Sequence, residues 1–235
     1  MKHLVTILLF IIITFNSLAQ KIEPYFSFGY GSYKQTDIKA IFNIYVNSMS
    51  FTVPITDFFP CYYNYDGGIN YKFSDDKLEA GLSIAYTSSG ARATRSDYSG
   101  SYNIDFTTRA TGIAGSFGMR LMQCKWFDIY SKVRLGLLST KLEINESLNV
   151  EIQPYAYSNT SESKSFSIEP MIELSKSFRH FGVFVNTGYL VDVTAKLYLP
   201  DHNITAFKIN GKDAVSNWSG YRIRGGIKAI IQNLF

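Results

Sequence analysis

The chain has 235 residues and a formal net charge of +4, and it is rich in aromatic residues and glycine, with 17 Tyr, 18 Phe and 17 Gly against 6 Pro. This length suits a single domain, particularly an all-β one, and the modest charge gives no reason to expect a nucleic-acid partner. Downstream of Phe15 no apolar stretch is long enough for a transmembrane helix.

The first twenty residues, MKHLVTILLFIIITFNSLAQ, have the layout of a secretory signal peptide. A basic start at Lys2 is followed by an apolar run from Leu4 to Phe15 and by small residues that end at Ala19. A membrane anchor is the alternative, but the run of about 12 residues is shorter than the roughly 20 that a spanning helix needs. We therefore expect residues 1–19 to be cleaved as a signal peptide and residues 20–235 to form one domain.

The next long segment, TDIKAIFNIYVNS, predicts a short amphipathic helix. Ile38, Ile41, Phe42 and Tyr45 fall at i, i+3, i+4 and i+7, and Thr36 or Asp37 is available as an N-cap. A further β-segment is the alternative, because Ile and Val favour strands.

Eight segments alternate apolar and polar residues with the period of two that a half-buried strand shows. In the first of them, Phe26, Phe28 and Tyr30 lie on one face, and Ser27 and Gly29 on the other. The predicted strands are 22–33, 62–73, 78–88, 103–121, 127–144, 165–177, 182–196 and 219–235. Pro170 fits the sixth strand poorly, because proline cannot donate to a ladder and every strand of a closed barrel is paired.

The fourth segment changes phase along its length. Ile104 and Phe106 share one face, whereas Ile113 and Phe117 share the other. If both pairs are to face outward, one extra residue must be inserted between them. We therefore predict a β-bulge between Thr108 and Gly112.

The predicted connections alternate in length. Those after the second, fourth and sixth strands have about three to five residues, and the others run from about a dozen to nearly thirty, as in outer-membrane barrels with short periplasmic turns and long extracellular loops. A secreted soluble β-sandwich is the alternative, but it has no reason to sort its loops by length. The predicted fold is therefore all-β, an eight-stranded antiparallel up-and-down transmembrane β-barrel with a short helix in its first extracellular loop.

The polar face of the predicted strands carries charges of both signs. The acids are Asp66, Glu79, Asp105, Asp128, Glu169, Glu173 and Asp192, and the bases are Lys72, Arg109, Arg120, Lys132, Arg134, Arg222, Arg224 and Lys228. An eight-stranded barrel is about wide enough for its side chains to fill it. We therefore expect these groups to pair in a network that plugs the bore and leaves no open channel.

Several stretches resemble the outer-membrane β-barrel domains common in the Bacteroidota, within the wider group of OmpA/OmpX-type and PorT-like barrels. They are FFPCYYNYDGGINY (58–71), RSDYSGSYNID (95–105), NWSGYRI (217–223) and the terminal Phe235. The resemblance covers essentially the whole chain after the signal peptide. It implies a location in the bacterial outer membrane, with both mature termini in the periplasm and outer-membrane lipid as the surroundings.

The resemblance also implies a role for the last strand. Its apolar face, formed by Tyr221, Ile223, Ile227, Ile231 and Phe235, looks like the signal that the barrel-assembly machinery reads. The matching stretches carry no catalytic residue.

Catalytic and metal-binding groups are sparse. His180 falls in a short turn, and His202 stands beside Asp201 in a loop where it could orient a serine, as a lipid hydrolase or acyltransferase would require. Nothing in the sequence fixes that geometry, and no zinc-ligand spacing or phosphate-binding loop is present, so no cofactor or metal is expected. Cys61 and Cys124 are predicted at opposite ends of the barrel, too far apart for a disulfide.

The sequence thus predicts a non-enzymatic barrel that binds an extracellular ligand or an envelope protein, or that helps envelope assembly. A lipid-modifying enzyme, a small-ligand transporter and an accessory barrel in secretion remain as alternatives. Ligand and partner are not identified by the sequence.

Overall fold

The computed structural model describes residues 19–73, 76–150, 154–198, 208–209 and 211–232. Its elements are β1 (Ala19–Gly31), α1 (Thr36–Asn47), β2 (Ile55–Phe58), β3 (Tyr62–Phe73), β4 (Leu78–Asp97), β5 (Gly100–Gln123), β6 (Asp128–Asn149), β7 (Tyr155–Ser177), β8 (Phe181–Val193), β9 (Ala195–Lys196), β10 (Lys208–Ile209), β11 (Lys212–Asp213), β12 (Val215–Ser216), β13 (Gly220–Ala229) and β14 (Ile231–Gln232). Most of the predicted signal peptide, His202 and Phe235 lie outside the described residues.

Eight of these strands close into a ring. Strands β1, β3, β4, β5, β6, β7, β8 and β13 pair antiparallel in that order, and β13 also pairs with β1. In β1, for example, Phe28 lies opposite Tyr65 on β3 and opposite Gly225 on β13. The predicted eight-stranded up-and-down barrel is confirmed. The end at which β3 leads into β4, β5 into β6 and β7 into β8 is called the lower end, and the end that carries α1 the upper end.

The outer wall carries a broad apolar belt. Leu82, Ile84, Ile113, Phe117 and Leu137 each expose more than half of their surface, which a soluble protein would bury. Tyrosines flank the belt at the upper end, including the edge-to-face pairs Tyr30–Tyr63 and Tyr189–Tyr221, and Phe178 stacks on Phe181 at the lower end. An apolar outer band between aromatic girdles, around a polar interior, is the arrangement of a transmembrane β-barrel.

Among the described residues, no helix has the length and hydropathy needed to cross a membrane.

At the upper end, the chain forms strands in two places where long loops were predicted. Two residues join β4 to β5, and five join β6 to β7, because both hairpins continue their ladders far beyond the apolar belt. The prediction of long loops after the third and fifth strands is therefore wrong. The residues that point outward in these extensions are mostly polar. The sequence there therefore lacks the large outward apolar residues that mark the strands of the belt.

The predicted bulge between Thr108 and Gly112 is also wrong. The pairing of β4 with β5 keeps one register from Leu78 to Asp97, so Ile104 and Phe106 point inward and are fully buried. Ile104 and Phe106 face inward whereas Ile113 faces outward, because the interior is apolar at the upper end and polar at the lower end. The register shift of β5 lies near the lower turn instead, between Arg120 and Met122.

Helix α1 fills the upper mouth of the barrel. Its buried residues Ile38, Ile41, Phe42 and Val46 pack on inward side chains of the extended strands. Those strand residues are Ala91, Ala93, Tyr102, Ile104, Phe106, Leu142 and Ile144. The predicted helix is confirmed as a plug in the barrel mouth.

The N-cap of α1 differs from the prediction. Gln35 occupies that position with φ 43° and ψ 37°, and it makes no side-chain cap hydrogen bond. Thr36 is already helical, and the Asp37 carboxylate accepts a hydrogen bond from the Val215 backbone N–H at 3.0 Å. Asp37 therefore ties the helix to β12 and does not cap its own first turn.

Pro170 is accommodated within the wall. It lies opposite Val133 on β6, and the pairing of β7 with β8 stops at Ile168 and resumes at Met171 in the same register. The ladder is interrupted locally because proline has no N–H to donate.

Candidate functional site

The lower half of the bore is filled by charged side chains. Among the described residues, twelve charged groups are buried: the acids Glu23, Asp66, Glu79, Glu169, Glu173 and Asp192, and the bases Lys72, Lys132, Arg134, Arg222, Arg224 and Lys228. Six negative charges thus face six positive ones. Alternation along the strands places all of them inward, and the small diameter of an eight-stranded barrel brings them into contact.

The lowest layer is a continuous chain of lysines and glutamates. Glu23 binds the ammonium groups of Lys72 and Lys228, at 3.1 and 3.0 Å. Glu173 lies 4.0 Å from Lys228 and 2.6 Å from Lys132. Lys132 also pairs with Glu79. We call these six residues the lysine layer.

The next layer is built around two arginines. Arg134 pairs with Asp66 and lies 3.6 Å from Glu169, which also pairs with Arg224. The Arg224 Nε donates to the Asn186 side-chain oxygen at 3.1 Å. We call Asp66, Arg134, Glu169 and Arg224 the arginine layer. Together the two layers tie six of the eight wall strands through charge pairs.

Arg222 and Asp192 lie above the arginine layer and depart from the predicted pairing. Among the described residues neither forms a salt bridge. The Arg222 guanidinium lies 5.8 Å from the centre of the Tyr33 ring, and Asp192 accepts a hydrogen bond from the Trp218 backbone N–H at 2.9 Å. Tyr33 and Trp218 pack edge to face, so this level is part aromatic and begins the transition to the apolar plug.

Four predicted members of the network lie elsewhere. We call the parts of β4 to β7 that continue above the apolar belt the upper extension. Asp105 and Arg109 lie on its outer wall, because β5 keeps one register with β4 there and its odd-numbered residues therefore point outward. Arg120 and Asp128 line an open cavity of about 290 Å³ at the lower end, where the strands meet the turns.

Glu23 is the network member that the sequence prediction missed. It bridges two lysines in the lysine layer, as described above. Glu23 lies within the predicted first strand, 22–33, and is in phase with Ser27 and Gly29, which were assigned inward, so the same alternation already places it inside. Tyr130 belongs to the same level, since its hydroxyl lies 3.0 Å from the Lys72 ammonium.

The outer surface of the upper extension carries exposed ion pairs. Arg92 meets Asp105 through Nε at 2.5 Å and Nη2 at 3.3 Å, and Glu143 lies 2.8 Å from Lys141 and 3.4 Å from Arg109. The hydrogen bond from Lys141 holds the pKa of Glu143 below its ordinary value. Such pairs near water contribute little to stability.

The closing strand presents two different faces. Tyr221, Ile223, Ile227 and Ile231 are exposed on the outer wall, and Arg222, Arg224 and Lys228 are buried inside. Phe235, the last residue of the predicted assembly signal, lies outside the described residues.

The other candidate groups are dispersed. Cys61 and Cys124 are both free thiols. His180 is exposed in a lower turn, and its backbone carbonyl accepts a hydrogen bond from Ile230. Across the described part of the chain, no group of three or more His, Cys, Asp or Glu side chains is placed to hold a metal ion.

Comparisons with known proteins give two solved structures of interest, and no protein-family model or curated protein matches the chain. The attachment invasion locus protein Ail of Yersinia pestis aligns with a TM-score of 0.33 and 11% identity, over 91% of this chain and 100% of Ail. The outer membrane protease OmpT of Escherichia coli aligns with a TM-score of 0.41 and 12% identity, over 91% of this chain and 97% of OmpT. The fold described above rests on the strand pairing and not on these alignments.

Proposed function

We propose that this protein is a non-enzymatic barrel of a bacterial outer membrane, closed to solutes, whose upper extension binds a ligand or an envelope partner outside the cell. One observation carries the proposal. Charged side chains fill the lower bore and α1 packs into the upper mouth, so we infer that the barrel supports an outer binding surface and encloses no passage.

The membrane assignment is supported by the outer wall. Its apolar belt and aromatic girdles suit lipid, and the polar extensions above it suit water. Short turns lie on the periplasmic side in such barrels, so under this proposal the start of β1 and the strand β14 lie at the periplasmic end. The signal peptide, the kinship with Bacteroidota barrels and the reading of the last strand by the assembly machinery belong to the same proposal.

The non-enzymatic assignment is supported by the state of the buried charges. Ten of the twelve are engaged in salt bridges with one another, and such groups are poorly suited to transfer protons to a substrate. The open cavity of about 290 Å³ at the lower end reaches Glu23 and Lys72, and both of these groups are held in salt bridges of the lysine layer.

Two measurements on the mature protein, refolded in detergent, test the proposal. A folded membrane barrel should migrate differently in SDS electrophoresis before and after boiling, and it should give no steady single-channel conductance in planar bilayers. Unchanged mobility together with solubility in the absence of detergent would refute the membrane barrel, and a reproducible conductance would refute the closed bore. Altered envelope lipids in a His202→Ala strain would favour a lipid-modifying enzyme instead.

A further inference from the structure

A groove of about 410 Å³ opens on the outer wall at the upper edge of the apolar belt. This volume falls within the range of about 300–1,000 Å³ typical of small-molecule sites. The groove lies where β3 gives way to β2, and both strands pair with β4. The residues that matter here are Asp57, Tyr62, Tyr86, Arg92, Asp105 and Arg109. We call it the outer groove.

The backbone creates the outer groove by a detour between β2 and β3. Thr87 pairs with Asn64 on β3 and Ala91 pairs with Phe58 on β2, so residues 88–90 of β4 have no regular ladder partner on this side. Phe59 bridges the gap with φ 44°, and its N–H donates to the Gly90 carbonyl at 2.7 Å. The two strands thus stay attached to β4 while the chain leaves space between them.

The floor of the groove depends on a missing side chain. Gly90 lies opposite Thr107 on β5. A Cβ atom at this position would meet the Phe106 carbonyl oxygen at 2.5 Å, so the local packing admits glycine only. The absence of a side chain also leaves the backbone level of the groove open.

The electrostatics of the outer groove favour a neutral, hydroxyl-rich ligand. Two arginines and two aspartates line it, so their formal charges cancel. Arg92 and Asp105 are held side by side by a two-point hydrogen bond, yet Arg92 is 57% exposed. The guanidinium retains free N–H donors and the carboxylate retains free lone pairs. A fixed donor beside a fixed acceptor matches two adjacent hydroxyl groups.

Aromatic rings complete the lining. Tyr62 and Tyr86 are both exposed, and each combines an apolar ring with a hydroxyl group. A sugar ring carries hydroxyls at its rim and C–H bonds on its faces, and the C–H faces pack well on exposed tyrosine rings. We propose that the outer groove binds a neutral saccharide unit of a surface glycan.

This inference rests on the proposed function, because the groove faces the outside only when the upper end is extracellular. The test uses the full mature chain refolded in detergent and applied to an array of neutral hexose and N-acetylhexosamine oligosaccharides, with sialylated and sulfated ones alongside. Each sample is first checked for heat-modifiable mobility, so that loss of folding is distinguished from loss of binding. Mobility that does not change on heating would overturn the barrel itself and the groove with it.

The variants are Tyr86→Ala and Asp105→Asn, with Tyr65→Ala as the matched control. Tyr65 lies directly opposite Tyr86 on the neighbouring strand and is similarly exposed, but it does not line the groove. We expect the folded wild type to bind neutral glycans, each groove variant to bind about tenfold more weakly, equivalent to about 1.4 kcal/mol, and the control to stay near wild type.

Three results on heat-modifiable protein would overturn the inference while leaving the proposed function standing. They are no binding to any neutral glycan, binding confined to sialylated or sulfated glycans, and groove variants that bind as well as the wild type.

Discussion

Replacing Glu169 with glutamine should separate a dry, charge-paired bore from a hydrated one. The Glu169 side chain is 1% exposed and contacts Arg134 and Arg224. After the substitution Arg134 keeps Asp66 as a partner, but Arg224 keeps only the neutral oxygen of Asn186. The variant therefore leaves the buried Arg224 without a carboxylate partner.

The expected magnitude follows from burial. Removing one partner of a buried ion pair costs about 3 to 5 kcal/mol, because the remaining charge stays desolvated. Glu143→Gln is the matched control, since Glu143 also contacts two bases, Lys141 and Arg109, but on the outer surface. An exposed pair of that kind contributes about 0 to 1 kcal/mol.

Urea unfolding of the refolded barrel in lipid vesicles provides the measurement. With a slope of about 2 kcal/mol per molar urea, Glu169→Gln should lower the midpoint by roughly 1.5 to 2.5 M, and Glu143→Gln by less than about 0.5 M. Equal midpoints for the two variants would refute the reasoning, because they would mean that water solvates the interior charges as well as it solvates the surface ones.

The remaining predictions concern the upper extension and the topology. Phe42→Ala should lower the free energy of unfolding by about 3 to 5 kcal/mol and make α1 sensitive to limited proteolysis. Ile44→Ala, on the solvent side of the same helix, should change neither property. Equal protease sensitivity of the two variants would contradict the packing of α1 as a plug. Burial, and then a neighbouring glutamate, raises the pKa of Tyr102 above its ordinary 10.0, so its stabilising contribution is present below about pH 10 and is lost as the pH rises through the higher folded-state pKa. A Tyr102→Phe variant should lack this alkaline loss in a thermal-melt series, and an unchanged profile would contradict it. An impermeant maleimide should label Cys61 on intact cells and Cys124 only after permeabilisation, and the reverse pattern would invert the proposed topology.

Alternation alone was sufficient to predict the wall of the barrel. Where large apolar residues alternate with charged or small ones, as along Val133, Arg134 and Leu135, the sequence assigns each side chain to the correct face. The lower bore is polar and the surrounding belt is apolar, so the polarity of a single side chain is enough to predict which way it faces.

The same rule fails in the upper extension because polarity inverts there. Ile104 and Phe106 are apolar and face inward, and Asp105 and Arg109 are charged and face outward. The inversion is favourable because α1 and the buried residues Val53, Phe59, Leu197 and Ala214 cover the apolar strand residues. The strand sequence does not reveal which neighbours will do so. The amphipathic pattern of α1 was itself readable, so the missing step was to connect the helix with the strands it covers.

The position of the three bases on β13 has a consequence for the order of folding. Without Arg222, Arg224 and Lys228, the described buried groups would comprise six acids and only Lys72, Lys132 and Arg134 as bases. An incomplete barrel would therefore hold three surplus negative charges, and Glu169 and Glu23 would each lack one of their two partners. The interior becomes electrically neutral only when the last strand docks between β8 and β1. Closure of the ring and neutralisation of its centre are thus a single event, and a chain arrested before that event carries a penalty that disfavours its persistence in lipid.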